Sequence, residues 1–555
     1  MFKRVILKAM VFILISILIG AMVVPSGSSQ ALASTGKGFS IVTLQPDALE
    51  AIRAQGKSFH LPAPDKANHG KKFNPVGDTV GQLTPDAQQN VIVLFAEFTT
   101  PPPGGPVDRL DLSYFDNMLF GTVYDPIEYA AYPGHPTDRT LYNYYKEVSY
   151  GAIDVVTLDM PSTTGWVNVG HPYAYYSRAD GIHDNSFGPY PENAQGFVRD
   201  AVLAADPMID FSQYAKNGEV PNLFVVYAGT GAEWSADPSL FWSHSWDLSE
   251  GTGLNGLMVD GVKINNYAVM PEVGGDLTGY LGMVSGPYPP TVGVYAHEYG
   301  HVLGLPDQYD YGYESDGTDV YSLMAGGSWN RYPADRIFNG NSPAHLDAWS
   351  KYRMGWMDPV VIDEAVDAMT LTLPPAEFSP VSYKMIAPNS DGKEYFLFEN
   401  RQAMGFDQGL LRFGPHGLAI YHVDDTVLTR NYWRPNEAEN WKEFRSEGWQ
   451  KAWTGETHYG ISIIQADDRW DLEHAWYAAP SGGYSWTLAG DLYPGLWGVT
   501  SFSSDTAPNS STYYWWGGNE DPKYGFSGVT VTDIQEAAGM ITATFDFIPW
   551  KTPKK

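Results

Sequence analysis

TVGVYAHEYGHVLGLPDQYD, residues 291–310, is the stretch on which the rest of this sequence depends. If residues 295–303 form a helix, His297 and His301 lie four residues apart on one face, so their imidazoles can converge on a single ion. Glu298 lies between them, where it can hold and deprotonate a metal-bound water, the general-base role of the H-E-x-x-H pattern. The spacing therefore predicts a metal-dependent hydrolase.

A third ligand is expected just after this helix. Gly304 has no Cβ and can adopt the left-handed conformation that ends a helix. The turn through Leu305 and Pro306 then lets Asp307 reach the two histidines. Glu314 remains a competing third ligand, because a carboxylate in the following loop could also reach the ion. We favour Asp307.

The expected ion is zinc. Two imidazoles and one carboxylate leave a fourth position for water, which is the catalytic arrangement and not the closed structural one. Such a site lowers the pKa of the water to roughly 7 and polarises a carbonyl. The alternative is a chance motif on a helix with half-buried histidines, which the added glycine and aspartate make less probable.

Several stretches resemble the secreted bacterial metallopeptidases of the immune inhibitor A family. HEYGHVLGLPDQYD is followed by SLMAGGSW at residues 322–329, where Met324 matches the family's methionine turn. In metzincin-like peptidases such a turn forms an apolar floor beneath the zinc, for which a soft thioether is suited. The resemblance extends over residues 90–547 through YNYYKEVSYGAIDV (142–155), PAHLDAWSKYRMGW (343–356), YFLFENRQAMGFDQGL (395–410) and GLAIYHVDD (417–425).

Length and composition indicate a folded, exported protein of several units. The chain has 555 residues, 43% hydrophobic and 14% aromatic, which is too long for one ordinary core. It has no cysteine, so disulfides, thiolate metal sites and a cysteine latency switch are excluded. The net charge of -30 argues against nucleic acid and anionic membranes as partners, since both would repel it.

The first 89 residues are predicted to be removed or to act as a regulator. Lys3, Arg4 and Lys8 precede an apolar run, and Ala31-Leu32-Ala33 is typical of a signal-peptide cleavage site. Cleavage after Ala33 is expected, with a retained membrane anchor as the alternative. Residues 34–89 contain one short helix after Pro46 and a Pro-, Gly- and Lys-rich stretch. We interpret them as a propeptide that could cover the zinc, with His60, Asp65 and His69 as candidate contacts and a disordered tether as the alternative.

The fold class predicted is α+β. The apolar runs at residues 90–98 and 222–229 indicate buried strands, and residues 190–206 carry a helical stripe between them. From residue 360 onward, short β-rich runs are separated by Gly, Pro, Asn and Asp, which predicts an antiparallel sandwich. The resulting organisation is a signal peptide (1–33), a propeptide (34–89), a metzincin-like catalytic domain with a central sheet and active-site helix (90–358) and a β-sandwich (359–555).

Calcium is expected as a structural ion, because clustered carboxylates repel each other unless they are solvated or bound to a cation. The first cluster follows the zinc motif, and the second occupies loops of the predicted sandwich. The alternative is a solvated acidic loop. The candidates are Asp310, Glu314, Asp316 and Asp319, and then Asp424, Asp425, Asp467, Asp468 and Asp491.

Two other side chains, His244 and Tyr332, are further candidates for a role at the site. His244 could be catalytic or linked to calcium, but an imidazole bonded within its own loop is the simpler interpretation. Tyr332 follows the methionine turn and could donate its phenol to a developing oxyanion. The aromatic stretch STYYWWGG, residues 511–518, could stack on sugar rings but more often such clusters pack internally.

The sequence therefore predicts a secreted bacterial zinc endopeptidase that acts on protein or peptide substrates. Its metal ligands are His297, His301 and Asp307, and Glu298 is the catalytic base. The alternative is a noncatalytic surface protein that binds glycan or cell wall and carries a vestigial zinc site. No nucleic acid and no stable membrane association are expected once the signal peptide is removed.

Overall fold

The structure is a computed structural model, and the part of the chain it describes falls between residues 39 and 549. The described residues are 39–55, 59, 61–62, 82–102, 109–125, 136–274, 289–313, 315–333, 338–365, 367–388, 390, 392–437, 458–473, 488–513 and 525–549. The chain divides into two units, Met1–Thr35 and Gly36–Lys555, and every described residue belongs to the second. The expected signal peptide at residues 1–33 therefore lies outside the described residues.

The described strands follow one another in this order: β1 Ser40–Ile41, β2 Gln88–Asn90, β3 Ile92–Glu97, β4 Asp154–Val156, β5 Trp166–Asn168, β6 Glu219–Val220, β7 Leu223–Thr230, β8 His244–Asp247, β9 Leu257–Val259, β10 Val262–Ile264, β11 Asn266–Val273, β12 Val360–Val361, β13 Met369–Leu373, β14 Tyr383–Ile386, β15 Glu394–Arg401, β16 Gly417–Asp424, β17 Ile461–Ile463, β18 Tyr493–Pro494, β19 Val529–Ala537 and β20 Met540–Phe547.

The described helices are α1 Pro46–Ala54, α2 Ser113–Phe115, α3 Leu141–Val148, α4 Pro161–Thr164, α5 Tyr173–Tyr176, α6 Ala194–Ala205, α7 Val292–Leu303, α8 Ala348–Arg353 and α9 Asp425–Arg430. Further short 3-10 or π turns connect them. The chain is thus a mixed helix and sheet protein. Within the described ranges, no helix is long and apolar enough to cross a membrane.

A six-stranded sheet in the order β1-β8-β11-β7-β3-β5 supports the site. Its inner strands β3 and β7 are the two apolar runs predicted at residues 90–98 and 222–229. They pair in parallel, with Ile92 opposite Leu223 and Phe95 opposite Val226. All residues of these strands except the last of each are buried, with α6 packed on β3 and the Tyr299 ring of α7 on Phe224 of β7, so the runs need no polar alternation. β8 runs antiparallel to β11, and β1 pairs with β8 as the edge strand of the sheet.

α7 carries the zinc motif and packs against β11 and β8. Tyr295 donates its hydroxyl to the Pro271 carbonyl at 2.6 Å, and Tyr299 packs edge to face on Phe224 with ring centroids 5.5 Å apart. From the other side, the Tyr145 hydroxyl on α3 reaches the Ala296 carbonyl at 2.7 Å. Large buried side chains therefore hold the helix in a fixed position, as a site built on it requires.

The second half of the chain contains two further sheets. One has the order β12-β14-β15-β16-β17 with β18 beside β16, and the other has the order β13-β20-β19. Most of these pairs are antiparallel, but β12 pairs with β14 in parallel. A single hydrophobic cluster contains Phe398 and Ile420 from the first sheet and Leu373 and Phe545 from the second.

Packing continues across residue 358. The larger hydrophobic cluster contains Phe39 and the core of the first sheet, and it also contains Tyr395, Leu397 and Tyr421 from β15 and β16. One side of β15 and β16 therefore faces the first half of the chain and the other side faces the second cluster. The boundaries at residues 89 and 358 stay predictions.

Candidate metal centre and peptide cleft

Three buried side chains meet at one side of α7, near its C-terminal end. His297 Nε2 and His301 Nε2 are 3.0 Å apart, and Asp307 Oδ1 lies 3.2 Å from the first and 3.1 Å from the second. Around a zinc ion with bonds of 2.0 to 2.1 Å, tetrahedral ligand atoms would lie about 3.3 Å apart. Two imidazole nitrogens and one carboxylate oxygen are also the donor set that zinc accepts at open sites. The three residues could therefore hold this metal.

The local sequence explains the convergence. The histidines are four residues apart on α7, one above the other on the same face. The helix ends at Gly304, whose φ is 108°, and its N–H and that of Leu305 both return to the Gly300 carbonyl, at 3.1 and 2.9 Å. This positive φ favours glycine. The left-handed turn brings Asp307 back under the helix end, as the sequence predicted.

Backbone carbonyls orient both imidazoles. His297 Nδ1 lies 2.8 Å from the Leu323 carbonyl oxygen, and His301 Nδ1 lies 2.8 Å from the Leu305 carbonyl oxygen. Since a carbonyl only accepts, each Nδ1 carries the hydrogen and each Nε2 presents a lone pair to the other ligands. Burial, with His301 as the next cause, lowers the pKa of His297, so its neutral ligating form is favoured.

Asp307 is held as an anion. Its Oδ2 accepts from the Tyr311 hydroxyl at 2.6 Å and from the Ile41 N–H at 3.4 Å, which leaves Oδ1 directed at the imidazoles. Burial alone would raise the pKa of Asp307, but His301 and His297 outweigh it and keep that pKa below its usual range. A cation bound there would meet a charged oxygen that already has a fixed orientation.

Glu298 is fully buried beside the ligands. Within the described residues its two oxygens accept no hydrogen bond of regular geometry. Burial, followed by the charges of Asp307 and Glu233, raises the pKa of Glu298 well above its usual range, and the Val42 amide opposes that rise. A carboxyl in this setting can carry a proton between two reacting groups.

Met324 contacts the turn of α7 between the two histidines. A Cβ placed on Gly300 would lie only 2.5 Å from the Met324 Sδ, so sulfur and helix are in direct contact. Met324 is fully buried, and its carbonyl accepts from the Gln308 N–H at 2.8 Å. The methionine thus packs against the helix turn that separates the two histidines.

Residues 39–45, here called the cleft segment, run directly across this site. β1 pairs antiparallel with β8, with Ser40 opposite Ser245 and Ile41 opposite His244. The Ile41 N–H points to Asp307, and the Ile41 carbonyl accepts from the Tyr309 hydroxyl. The segment extends the sheet as an added edge strand, the way extended peptides are bound in many proteins.

Residues on both sides of the cleft form hydrogen bonds with the backbone of this segment. The Trp242 Nε1 donates to the Val42 carbonyl at 2.8 Å, and the Trp329 Nε1 donates to the Thr43 carbonyl at 3.1 Å. The Leu44 N–H donates to the Tyr313 hydroxyl at 2.8 Å. The Gln45 N–H reaches the Glu233 carbonyl at 2.8 Å, just before α1 begins. The predicted propeptide therefore contacts the cleft through backbone atoms of residues 42–45. The side chains proposed for this contact, His60, Asp65 and His69, lie outside the described residues.

The other candidates lie elsewhere. His244 sits in β8, its Nδ1 is 2.7 Å from the Trp242 carbonyl, and burial lowers its pKa to about 4. Its ring packs against Phe39 and Tyr267, so it is a structural residue of the sheet. Tyr332 is half-buried, and its N–H donates to Asn341 Oδ1 at 2.9 Å.

Three of the acidic residues proposed as calcium ligands accept hydrogen bonds from protein groups. Asp310 accepts from the Gly312 N–H at 3.0 Å, Asp424 from the Thr426 N–H at 2.8 Å, and Asp425 from the Tyr395 hydroxyl at 3.2 Å. Glu314, the competing metal ligand, lies outside the described residues. Of the aromatic stretch at 511–518, the residues beyond Tyr513 are also outside them.

Comparison with known proteins finds similar sequences for the region that carries this site. Residues 97–357 match the family model described as immune inhibitor A peptidase M6, catalytic domain. The chain is 30% identical over 273 residues to immune inhibitor A of Bacillus thuringiensis subsp. alesti, covering 45% of this chain and 37% of that one. It is 27% identical over 268 residues to the pre-pro-metalloprotease PrtV of Vibrio cholerae serotype O1, covering 44% and 26%. The resemblance drawn from the motifs is confirmed, and the matched region spans about a third or less of these relatives.

Proposed function

We propose that this peptidase M6 domain is a zinc-dependent endopeptidase that hydrolyses peptide bonds in protein or peptide substrates. The observation that carries the proposal is the approach of His297 Nε2, His301 Nε2 and Asp307 Oδ1 to within 3.0 to 3.2 Å of one another. The names of the relatives support it, since one is a metalloprotease. Protein substrates are favoured because an extended peptide segment already fits the cleft.

In this proposal, different residues of the chain would bind the metal, transfer the proton and orient the ligands. Zinc on the three ligands would polarise the scissile carbonyl and lower the pKa of a coordinated water. Glu298, buried beside them, would take a proton from the attacking water and pass it to the leaving nitrogen. Tyr311 and the carbonyls of Leu323 and Leu305 would keep the ligands oriented while the substrate changes.

We also propose that the protein is a secreted zymogen with a metzincin-like catalytic domain (90–358) and a β-sandwich (359–555). In this proposal residues 1–33 are a signal peptide, and residues 34–89 are a propeptide whose cleft segment excludes substrate. The bonds of Trp242, Trp329 and Tyr313 to that segment support the assignment. So does the name of the Vibrio relative, a pre-pro-metalloprotease.

The function is tested by incubating the secreted, purified protein with an unbiased peptide mixture and reading the products by mass spectrometry. Cleavage inside peptides is expected, and 1,10-phenanthroline should abolish it until zinc is restored. Asp307→Ala should lower bound zinc, whereas Glu314→Ala should leave zinc content near wild type. Full cleavage in the presence of the chelator, or only terminal trimming, would contradict the proposal.

Calcium is proposed at a buried acidic site in the second half of the chain. Asp491 is fully buried, and its Oδ2 accepts from the Tyr321 hydroxyl at 3.0 Å. Its Oδ1 accepts no hydrogen bond in the described part of the chain, and Asp467 Oδ2, close to Gly490, has Arg469 Nε at 3.5 Å as an ion-pair partner. We propose that Asp491 and Asp467 bind one calcium ion, whose charge would offset their repulsion.

The calcium site predicts a change in thermal stability. Protein freed of calcium and supplied with zinc should melt at a higher temperature when calcium chloride is added. A ligand present at 100 times its Kd stabilises by about 2.7 kcal/mol. Asp491→Asn should lose this increment, and Asp505→Asn, an exposed control, should keep it. Equal melting temperatures with and without calcium would contradict the site.

A further inference from the structure

The cleft segment presents one peptide group to the metal site. In a strand, the N–H and C=O of one residue point to the same side, and those of the next residue point to the other. At Ile41 both face the ligands, since its N–H points to Asp307 and its carbonyl accepts from Tyr309. At Val42 the carbonyl accepts from Trp242 at 2.8 Å and the N–H reaches the Ser243 carbonyl at 3.3 Å, just before β8, with the Glu298 carboxyl also near that N–H. The Ile41 carbonyl is therefore directed at the reacting position.

Two neighbouring tyrosines have different partners at this position. Tyr311 donates to Asp307 Oδ2 at 2.6 Å, so its hydroxyl orients a metal ligand. Tyr309 donates instead to the Ile41 carbonyl oxygen, and its ring lies parallel to that of His297 with centroids 6.4 Å apart. Tyr309 is 2% exposed, so its hydroxyl does not have to be withdrawn from water during reaction.

The other half of the peptide group lies beside the acid-base residue. The Val42 nitrogen is the atom that would leave if this bond were cut, and its amide is close enough to Glu298 to act on that carboxyl. The Ile41 and Val42 side chains are both fully buried. Carbonyl, nitrogen and both flanking side chains thus occupy enclosed positions around one bond.

We propose that Tyr309 is a catalytic residue that donates a hydrogen bond to the scissile carbonyl oxygen, and that the cleft segment lies in the productive register for hydrolysis of its own Ile41–Val42 bond. This inference rests on the proposed peptidase function. It assigns the oxyanion role to Tyr309, before the methionine turn, where the sequence had suggested Tyr332. It also assigns branched aliphatic side chains to both sides of the cleaved bond in substrates.

The step balances with water as the only co-reactant. The water oxygen bonds to the Ile41 carbonyl carbon, and Glu298 takes one water proton. The C–N bond then breaks, and Glu298 passes that proton to the Val42 nitrogen. Tyr309 keeps its own proton throughout and only stabilises the charge on the carbonyl oxygen. The second water proton passes from the new Ile41 carboxyl to the freed Val42 amine, so the products are a carboxylate at Ile41 and an α-ammonium group at Val42.

The test starts from the metal-free full chain, to which zinc is added while intact mass and the N-terminal residue are followed over time. The expected product begins at Val42. Removing an oxyanion donor typically slows turnover by about 10²- to 10³-fold, so Tyr309→Phe should slow this cleavage by that factor while binding zinc normally. Tyr299→Phe is the matched control, because its hydroxyl faces Gln89 at 3.5 Å, and it should cut at the wild-type rate.

A second measurement separates catalysis from binding of the segment. Hydrogen exchange of residues 40–44 in the metal-free protein should show equal protection in wild type and Tyr309→Phe. Loss of protection in the variant would make Tyr309 a tether and overturn its catalytic role. A cut at another bond, or no self-cleavage by protein that hydrolyses added peptides, would overturn the register and leave the peptidase function intact. Absence of any zinc-dependent hydrolysis would instead refute the peptidase function.

Discussion

Glu298→Gln is expected to retain zinc and lose nearly all peptide hydrolysis. Glutamine has the same shape and does not remove any of the three ligands, so the approach of His297, His301 and Asp307 should persist. It cannot take a proton from water, and a positioned acid-base group contributes about 10²- to 10⁴-fold to rate. A fall in kcat of that size is therefore expected, with bound zinc measured on the same samples.

Two further variants define what the result means. His297→Ala should lose both zinc and hydrolysis, because it removes a ligand and the hydrogen bond to the Leu323 carbonyl. Glu250→Gln replaces another buried glutamate, whose Oε2 accepts from Trp246 Nε1 at 3.1 Å, and should keep both. Hydrolysis by Glu298→Gln within threefold of wild type would remove Glu298 from the mechanism.

The convergence of the three candidate ligands could be predicted because its information is local. Four-residue spacing on a helix and a glycine at its end suffice to bring the histidines and Asp307 together, and α7 and the φ of 108° at Gly304 agree with this. The buried strands β3 and β7 could be predicted for a similar reason. Their runs of β-branched and aromatic residues fit only a position covered on both faces.

The cleft segment could not be located in the same way. Ile41 contacts Asp307 and Tyr309, which are 266 and 268 positions away, and no local pattern encodes so distant a pairing. The strand it forms is only two residues long, below any periodicity that could be recognised. The one available signal was SIVTL, a short β-branched run just before α1. The role proposed for Tyr309 could not be predicted for the same reason, since it depends on the distant Ile41 carbonyl.

Arg401→Met is expected to lower the free energy of unfolding by about 3 to 5 kcal/mol, the cost of breaking a buried ion pair. The guanidinium is fully buried in β15. It bonds Asp407 Oδ2 through Nε at 2.8 Å, and its Nη1 reaches Glu399 Oε1 at 3.3 Å and the Tyr321 carbonyl at 2.8 Å. Methionine fills much of the volume but leaves these oxygens without their cation.

Urea unfolding of the zinc-loaded protein measures this loss, and Lys146→Met provides the control. Lys146 pairs with Asp154 at 2.6 Å, but both side chains are about two-fifths exposed, at 41% and 43%. An exposed pair of this kind contributes about 0 to 1 kcal/mol, so the control should unfold near wild type. A loss in Arg401→Met no larger than in Lys146→Met would show that the buried cation is dispensable.

The pH dependence of the same variant follows from Glu399. Burial raises the pKa of Glu399, but Lys351 and Arg401 together outweigh it and hold that pKa below its usual range. A carboxyl with a lowered folded pKa stabilises the protein at neutral pH, and this contribution disappears as the pH falls through that pKa. Without Arg401, the pKa of Glu399 is lowered less, so acidification removes less stability from the variant than from wild type. The difference in unfolding free energy between wild type and Arg401→Met should therefore narrow on acidification from pH 7, and a constant difference would place the effect of Arg401 in packing alone.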